Sequence, residues 1–475
     1  MKKKEFLLYA ALYVIWLLIV LIAGIHHEPW ADEAQSWLIA RDNTSFDIIT
    51  KVLRYEGHPA LWYLILRFLY LLNFPYDAIY LIPLLFSAVG VYLFMFKTRL
   101  PVIIKCLFPF TFFIAYQYSV TARSYCLLFP LLMVISVFYK YRLKRPLLYS
   151  FLLILLMSSE TYNFIIAFVL FIFFIYDICE SKQYNIKTIS ATLLITAFFI
   201  ITGLYMLPPA DCVCKYPFEL SAARMSKFLV HGYFQLRKDF SISINELIIT
   251  LFFYLSAMII FCKKQKDILL MIALNGSVIT AISGFVCHFW HNGYGFLTLI
   301  FSIAILCEEN NITTSNKYIK NLFFTIFTVF SVSQIAWSSS ALISDYSEPY
   351  TEAKELANAI KIARLDEYGI SAIGYNTVAV QPYFKQNIYN NFKHSYYEWS
   401  EEADKYITES AKKQPPVIVI EAQLEEKYYD LISSIDENAY NIYTFNQIRC
   451  LNGTILKAPE FYLYVSKDIL SSLKL

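Results

Sequence analysis

Apolar runs close to the ~20 residues that carry a helix across a bilayer core recur along the chain, separated by short polar stretches rich in Lys and Arg. They predict eleven transmembrane helices, over about 6–25, 78–96, 103–121, 124–139, 147–159, 164–177, 188–207, 246–262, 268–288, 294–307 and 319–339. The first keeps its Lys2, Lys3 and Lys4 flank and has no small-residue cleavage site, so it reads as a retained helix. The run from Ala60 to Phe74 is shorter and has Arg67 at its centre, which reads as a helix lying along the outer membrane surface inside one external loop, 26–76. Past residue 340 the pattern turns to mixed charged and apolar segments. A helix over Glu352 to Ala363, strands over Ile370 to Gly374 and Pro416 to Ile420, a helix near Leu424 to Ser434 and a strand over Phe461 to Val465 predict a small α/β domain. The expected fold is thus an all-α polytopic membrane domain, 1–340, followed by a soluble extracytoplasmic α/β domain, 341–475.

Composition agrees with lipid as the main solvent: 58% of the 475 residues are hydrophobic and 16% charged. The net charge of +3 is dispersed, which excludes the clustered basic face of a nucleic-acid binder. Where the basic residues fall sets the topology. Lys2 to Lys4, Lys97/Arg99/Lys105, Lys140/Arg142/Lys144/Arg145, Lys182/Lys187, Lys263/Lys264/Lys266 and Lys317/Lys320 all belong on one face, the cytoplasmic one. That count requires the surface placement of 60–74 and two separate helices over 147–177, and it puts the N-terminus inside and the C-terminal domain outside. The expected location is a bacterial inner membrane. Cys212 and Cys214 are too near each other for an unstrained disulfide and read as free thiols.

The external loop reads His26-His27-Glu28-Pro29-Trp30-Ala31-Asp32-Glu33-Ala34-Gln35-Ser36-Trp37, then Tyr55-Glu56-Gly57-His58-Pro59. It gathers four carboxylates and three histidines where a membrane helix emerges. Thr121-Ala122-Arg123-Ser124-Tyr125 follows the third expected helix, and His288-Phe289-Trp290-His291-Asn292 joins the ninth to the tenth, both on the outer side. Glu160 and Asn163 read as a polar turn, and Trp30, Trp37 and Trp62 suit sugar stacking or interfacial anchoring, the second being the safer reading.

An Asp-Glu pair just past the first helix, a Glu-x-His-Pro before an amphipathic helix and an Arg-x-Tyr after the third resemble the C-type (GT-C) glycosyltransferases, which include protein O-mannosyltransferases and the aminoarabinose transferases of lipid A. The resemblance covers residues 6–180 in motif order and is architectural beyond. It implies a donor sugar on a polyprenyl phosphate, an acceptor hydroxyl on a glycan, lipid or protein, and an inverting displacement. It further implies Asp32 as the base, Glu33 as its support or an acceptor-orienting group, and Glu56, His58, Arg123, Tyr125 and His291 as donor-phosphate and substrate-binding residues. A divalent metal on Glu56, His58 or Asp32 is compatible with the family, whose members differ in metal dependence. The sequence departs from it at Gly57, where some relatives carry a basic residue, and at His291-Asn292, where relatives place an Arg-His pair. The alternative readings are a transporter or lipid-linked-sugar flippase and a membrane-anchored binding protein.

Overall fold

The computed structural model describes residues 2–214, 217–234, 241–285, 288–310, 316–424, 426–451 and 454–473. Among them nine helices are long and apolar enough to cross a membrane, from α1 (Lys3–His26) to Lys317–Ser347. The chain is a polytopic membrane protein, and two of the eleven expected spans take another form. Residues 102–117 are a short α-helix (Val102–Leu107), a 3-10 turn (Phe108–Phe110) and a π-helical turn (Phe113–Gln117). Pro109 offers no amide to the ladder and Thr111 is extended, so the helix cannot run through. Such broken backbone survives at membrane depth only inside protein, and Phe112 to Tyr116 are all buried. The other is Pro146–Met157, begun by Pro146 and only about 18 Å long at ~1.5 Å per residue. The ninth expected span ends in the structure at Gly284, and 286–287 lie outside the described residues. The last helix continues to Ser347, beyond the expected domain boundary.

Three of the six basic clusters are linked through shared carboxylates. Lys140 and Arg99 both pair with Glu308 (2.8 and 3.7 Å), Arg142 pairs with Asp177 and Glu309 (2.5 Å each), and Lys266 also reaches Asp177. Lys105 lies over the ring of Tyr9, near the start of α1, so this charged end is opposite the loop that follows His26. Replacing Arg142 with Ala strips Glu309 of its partner while Asp177 keeps Lys266. A loss of about 2 kcal/mol is expected, read as a lowered melting temperature in detergent.

The run containing Arg67 forms the helix Leu61–Leu71. Trp62, Tyr63 and Leu66 are buried, Phe68, Leu71 and Leu72 are exposed, and Arg67 donates from its Nη1 to the carbonyls of Ala40 and Arg41. The exposed side of this helix is therefore apolar, while its guanidinium is tied to the end of the helix Ala31–Asp42.

The C-terminal region folds around a four-stranded mixed sheet in the order β1-β2-β4-β3, with β1 Ile370–Ile373, β2 Val417–Glu421, β3 Tyr440–Leu451 and β4 Thr454–Ser466. β1 and β2 run parallel, whereas β2 with β4 and β4 with β3 are antiparallel. The helix Ala353–Ile362 matches expectation, while β3 and the helix Glu401–Ala411 go unread in the sequence. After β1 the chain coils through a 3-10 segment, Tyr375–Tyr383, that packs directly on α2 (Ala31–Asp42) and so brings this domain to the 26–76 loop.

Candidate active site

The site is built on α2. Trp30 is extended and its amide donates to Glu33 Oε2 (3.2 Å), so the third helical residue closes the N-terminus and two acids occupy the turn where the helix dipole favours them. Helical spacing then sets Asp32 and Ser36 on one face, four residues apart. Arg123 joins them: its Nη1 donates to the Asp32 carbonyl (2.9 Å) and to Ser36 Oγ (3.2 Å), and its Nη2 lies 3.5 Å from Asp32 Oδ2. The remaining Asp32 oxygen accepts from the hydroxyl of Tyr375 at 2.9 Å, a residue of the C-terminal domain. Arg123 is buried, yet among the described residues its Nε finds no partner. The Asp32 carboxylate, with Tyr125 adding, keeps the guanidinium charged despite that burial.

The two neighbouring acids are separated by access. The Asp32 side chain is 17% exposed and that of Glu33 is 0%, so only Asp32 presents a carboxylate to a ligand. Glu33 is spent on the fold. It holds His27 Nε2 (3.0 Å) and the Ala122 amide (2.5 Å), and His27 Nδ1 in turn holds Asp345 (2.8 Å), which also accepts from Tyr116. Burial works against a charged His27, but the two carboxylates outweigh it and raise its pKa to about 10.

Gly57 explains the departure at that position. It adopts φ 66°, a left-handed conformation that a side chain would strain, and ends the helix Leu53–Glu56. The turn sends its two neighbours apart. Glu56 accepts from Gln35 Nε2 (2.8 Å), which also donates to the carbonyl of Tyr397, and burial raises the Glu56 pKa above the ordinary carboxylate value. His58 goes instead to Glu160, 3.6 Å away. Glu160 caps the helix Thr161–Ser181 through the Tyr162 amide (2.7 Å) and accepts from Tyr294 (3.0 Å). Burial opposes its charge, but His58 and then His291 hold its pKa below the usual range. Tyr125 and His291 close the arrangement, with Oη and Nε2 3.2 Å apart. His288 is stacked on Trp290 (4.5 Å), and burial lowers its pKa although Asp32 acts in the opposite sense.

The structure therefore brings Asp32, Arg123, Tyr125 and His291 into one connected arrangement, with Glu56 and His58 diverging from its edge. Sequence reasoning passed over Ser36, Gln35 and Tyr375, and took Glu160 as a turn. Only the four-residue step from Asp32 to Ser36 carried a readable signal. Among the described residues no three His, Cys, Asp or Glu side chains converge as metal ligands. Cys212 and Cys214 are not joined by a disulfide, and the strand-like contact of Cys212 with Ser400 ties the segment after Met206 to the C-terminal domain.

No family model and no curated protein matches the chain. Among solved structures it is similar to the arabinofuranosyltransferase AftD from mycobacteria, determined by single-particle cryo-EM, with a TM-score of 0.45 at 10% identity. The alignment covers 98% of this chain and 40% of that one, so the chain spans well under half of its length.

Glu28 sits where the external loop meets the C-terminal domain, accepting from the Lys354 amide (2.6 Å). Burial raises its pKa to about 7. Because the folded state holds this proton more tightly than the unfolded chain, Glu28 costs nothing below about pH 4.5 and progressively destabilises the fold as pH rises through 7. Discounted for partial solvation, the penalty is about 1–2 kcal/mol. Glu28→Gln is expected to flatten the fall in melting temperature between pH 5 and 8, checked by thermal scans across that window.

Proposed function

We propose that the protein is a membrane glycosyltransferase that moves a sugar from a polyprenyl-phosphate donor to an acceptor hydroxyl at the extracytoplasmic face, with inversion. The observation carrying this reading is the meeting of a ligand-accessible carboxylate, Asp32, with a buried arginine, Arg123, beyond the end of α1 opposite the basic clusters. The motif order of the external loop supports the same reaction class.

In this reaction the acceptor hydroxyl gives its proton to Asp32 as its oxygen bonds to the anomeric carbon. The bond from that carbon to the phosphate oxygen breaks, and its electron pair leaves with the polyprenyl phosphate. Arg123 stabilises the departing phosphate through its Nε–H, which no group among the described residues uses, and a charge-assisted bond of this kind strengthens as negative charge builds. His58, kept near Glu160, and His291, held by Tyr125, line the phosphate side. Glu33 acts by positioning: it fixes the Ala122 amide beside Arg123 and the start of α2 beneath Asp32.

A transporter or flippase would place ionisable groups at mid-membrane, whereas the charged groups here gather at the two ends of the helices. Mass spectrometry of polyprenyl-linked and surface glycans from cells with and without the gene tests the proposal. A changed acceptor glycan with accumulated lipid-linked sugar is the expected result, and identical profiles in the two strains overturn it.

A further inference from the structure

A cleft of about 300 Å³ opens between the external loop and the C-terminal domain, lined by Glu56 but not by Arg123 or Asp32. Residues 43–56 form one wall and residues 393–398 the other, so it exists only because the two regions dock. Glu56 lines it with a carboxylate that is half used: Oε1 takes the Gln35 amide, and among the described residues no donor reaches the other oxygen. Its walls carry the rings of Tyr55, Tyr396 and Tyr397 together with Asn43, Lys393 and other groups of both charge signs. The Tyr396 ring is fixed by stacking on His394, at 4.7 Å and 3°, and its hydroxyl approaches Asn43 across the cleft (3.4 Å).

We infer that this cleft binds a saccharide and is the acceptor subsite, an assignment that rests on the transferase reading for the word acceptor but not for the binding itself. The chemistry selects the class. Val52 is the sole aliphatic side chain among the lining residues, so an acyl chain has no surface to lie on. Acidic and basic groups alternate, so neither an anion nor a cation is selected as such. Rigid aromatic faces suit the C–H faces of a sugar ring, while the open oxygen of Glu56, the Asn43 amide and the Lys393 ammonium suit its hydroxyls. The volume falls at the lower end of small-ligand sites, enough for one or two sugar units. Continuity with the candidate catalytic groups runs through Tyr397, whose backbone is held by Gln35 and whose ring meets that of Tyr375 at 5.7 Å, and Tyr375 reaches Asp32. A saccharide seated here directs one end toward the carboxylate that deprotonates it.

The test uses the full chain in lipid nanodiscs, probed on a printed array of bacterial oligosaccharides, with titration of the best binder. At least one oligosaccharide is expected to bind the wild type, with affinity about tenfold weaker in Tyr55→Ala and in Lys393→Glu, and retained in Tyr55→Phe and Asp32→Asn. Melting curves of each variant confirm that it is folded, and the two lesions on opposite walls guard against loss of either one. No oligosaccharide bound by the wild type, or unchanged affinity in the folded Tyr55→Ala and Lys393→Glu proteins, overturns the inference. Binding that follows this pattern while Asp32→Asn cells show normal glycans keeps the saccharide site and removes the transferase reading instead.

Discussion

Asp32→Asn is expected to lower sugar transfer by about a thousandfold while the protein accumulates to its normal level in the membrane. The size follows from what the substitution removes. Asparagine has nearly the shape of aspartate and still accepts the Tyr375 hydroxyl through its carbonyl, so α2 and its contacts persist. It cannot take a proton from an acceptor at neutral pH, and it turns a donor toward Arg123 where an anion had been. The second effect costs some local order; the first removes the base. Quantitative glycan mass spectrometry in a deletion strain carrying either gene, with immunoblotting for protein level, measures both. Transfer within a few-fold of wild type at equal protein level removes Asp32 from the chemistry. The neighbouring Glu33→Gln gives an informative contrast, because its loss is expected to appear as reduced accumulation and a lowered melting temperature. A fully buried carboxylate that holds His27 and the Ala122 amide serves the fold before it serves the reaction.

How far the sequence leads depends on whether a feature is local. The span of α1, the helix Ala353–Ile362 and the strand cores of β1 and β2 follow from hydrophobic runs within a dozen residues or so, and all are present. Three of the basic loops that the sequence assigns to one face are joined through Glu308 and Asp177, contacts between distant segments that charge alone does not reveal. The break at 108–112 was not legible from hydropathy. That segment is as apolar as its neighbours, and only its burial against other parts of the protein, with Phe108, Pro109, Thr111 and Phe112 all buried, makes a proline-broken backbone tolerable there. The site divides along the same line. Asp32 and Arg123 could be picked out as charges at a membrane boundary, whereas Tyr375 lies 343 residues from Asp32 in sequence and is one of 38 tyrosines. Glu160 looked like a turn because its partners, His58 and Tyr294, come from segments more than a hundred residues away.

His27→Ala is expected to have the largest effect on stability of any single change near the site, about 3–5 kcal/mol. His27 lies between Glu33 and Asp345, with all three side chains at 3% exposure or less, and it pairs with both carboxylates. Removing it leaves two buried carboxylates facing each other with their shared cationic partner gone. At least one must then bind a proton for the fold to persist, which makes the variant relatively more stable in acid. The wild type behaves in the opposite sense at the alkaline end. Because the folded state raises the His27 pKa from 6.5 to about 10, its contribution is complete below 6.5 and is lost as pH climbs toward 10. Thermal scans at pH 5 and 6, both in the range where the wild-type contribution of His27 is complete, distinguish this account from simple loss of packing, because a cavity alone lowers both melting temperatures equally. A narrower gap from wild type at pH 5 is the signature of the stranded acids. The same reasoning links stability to the site: Asp345 sits near the end of the last membrane helix and Glu33 in the first turn of α2, so His27 fixes the angle at which Asp32 is presented.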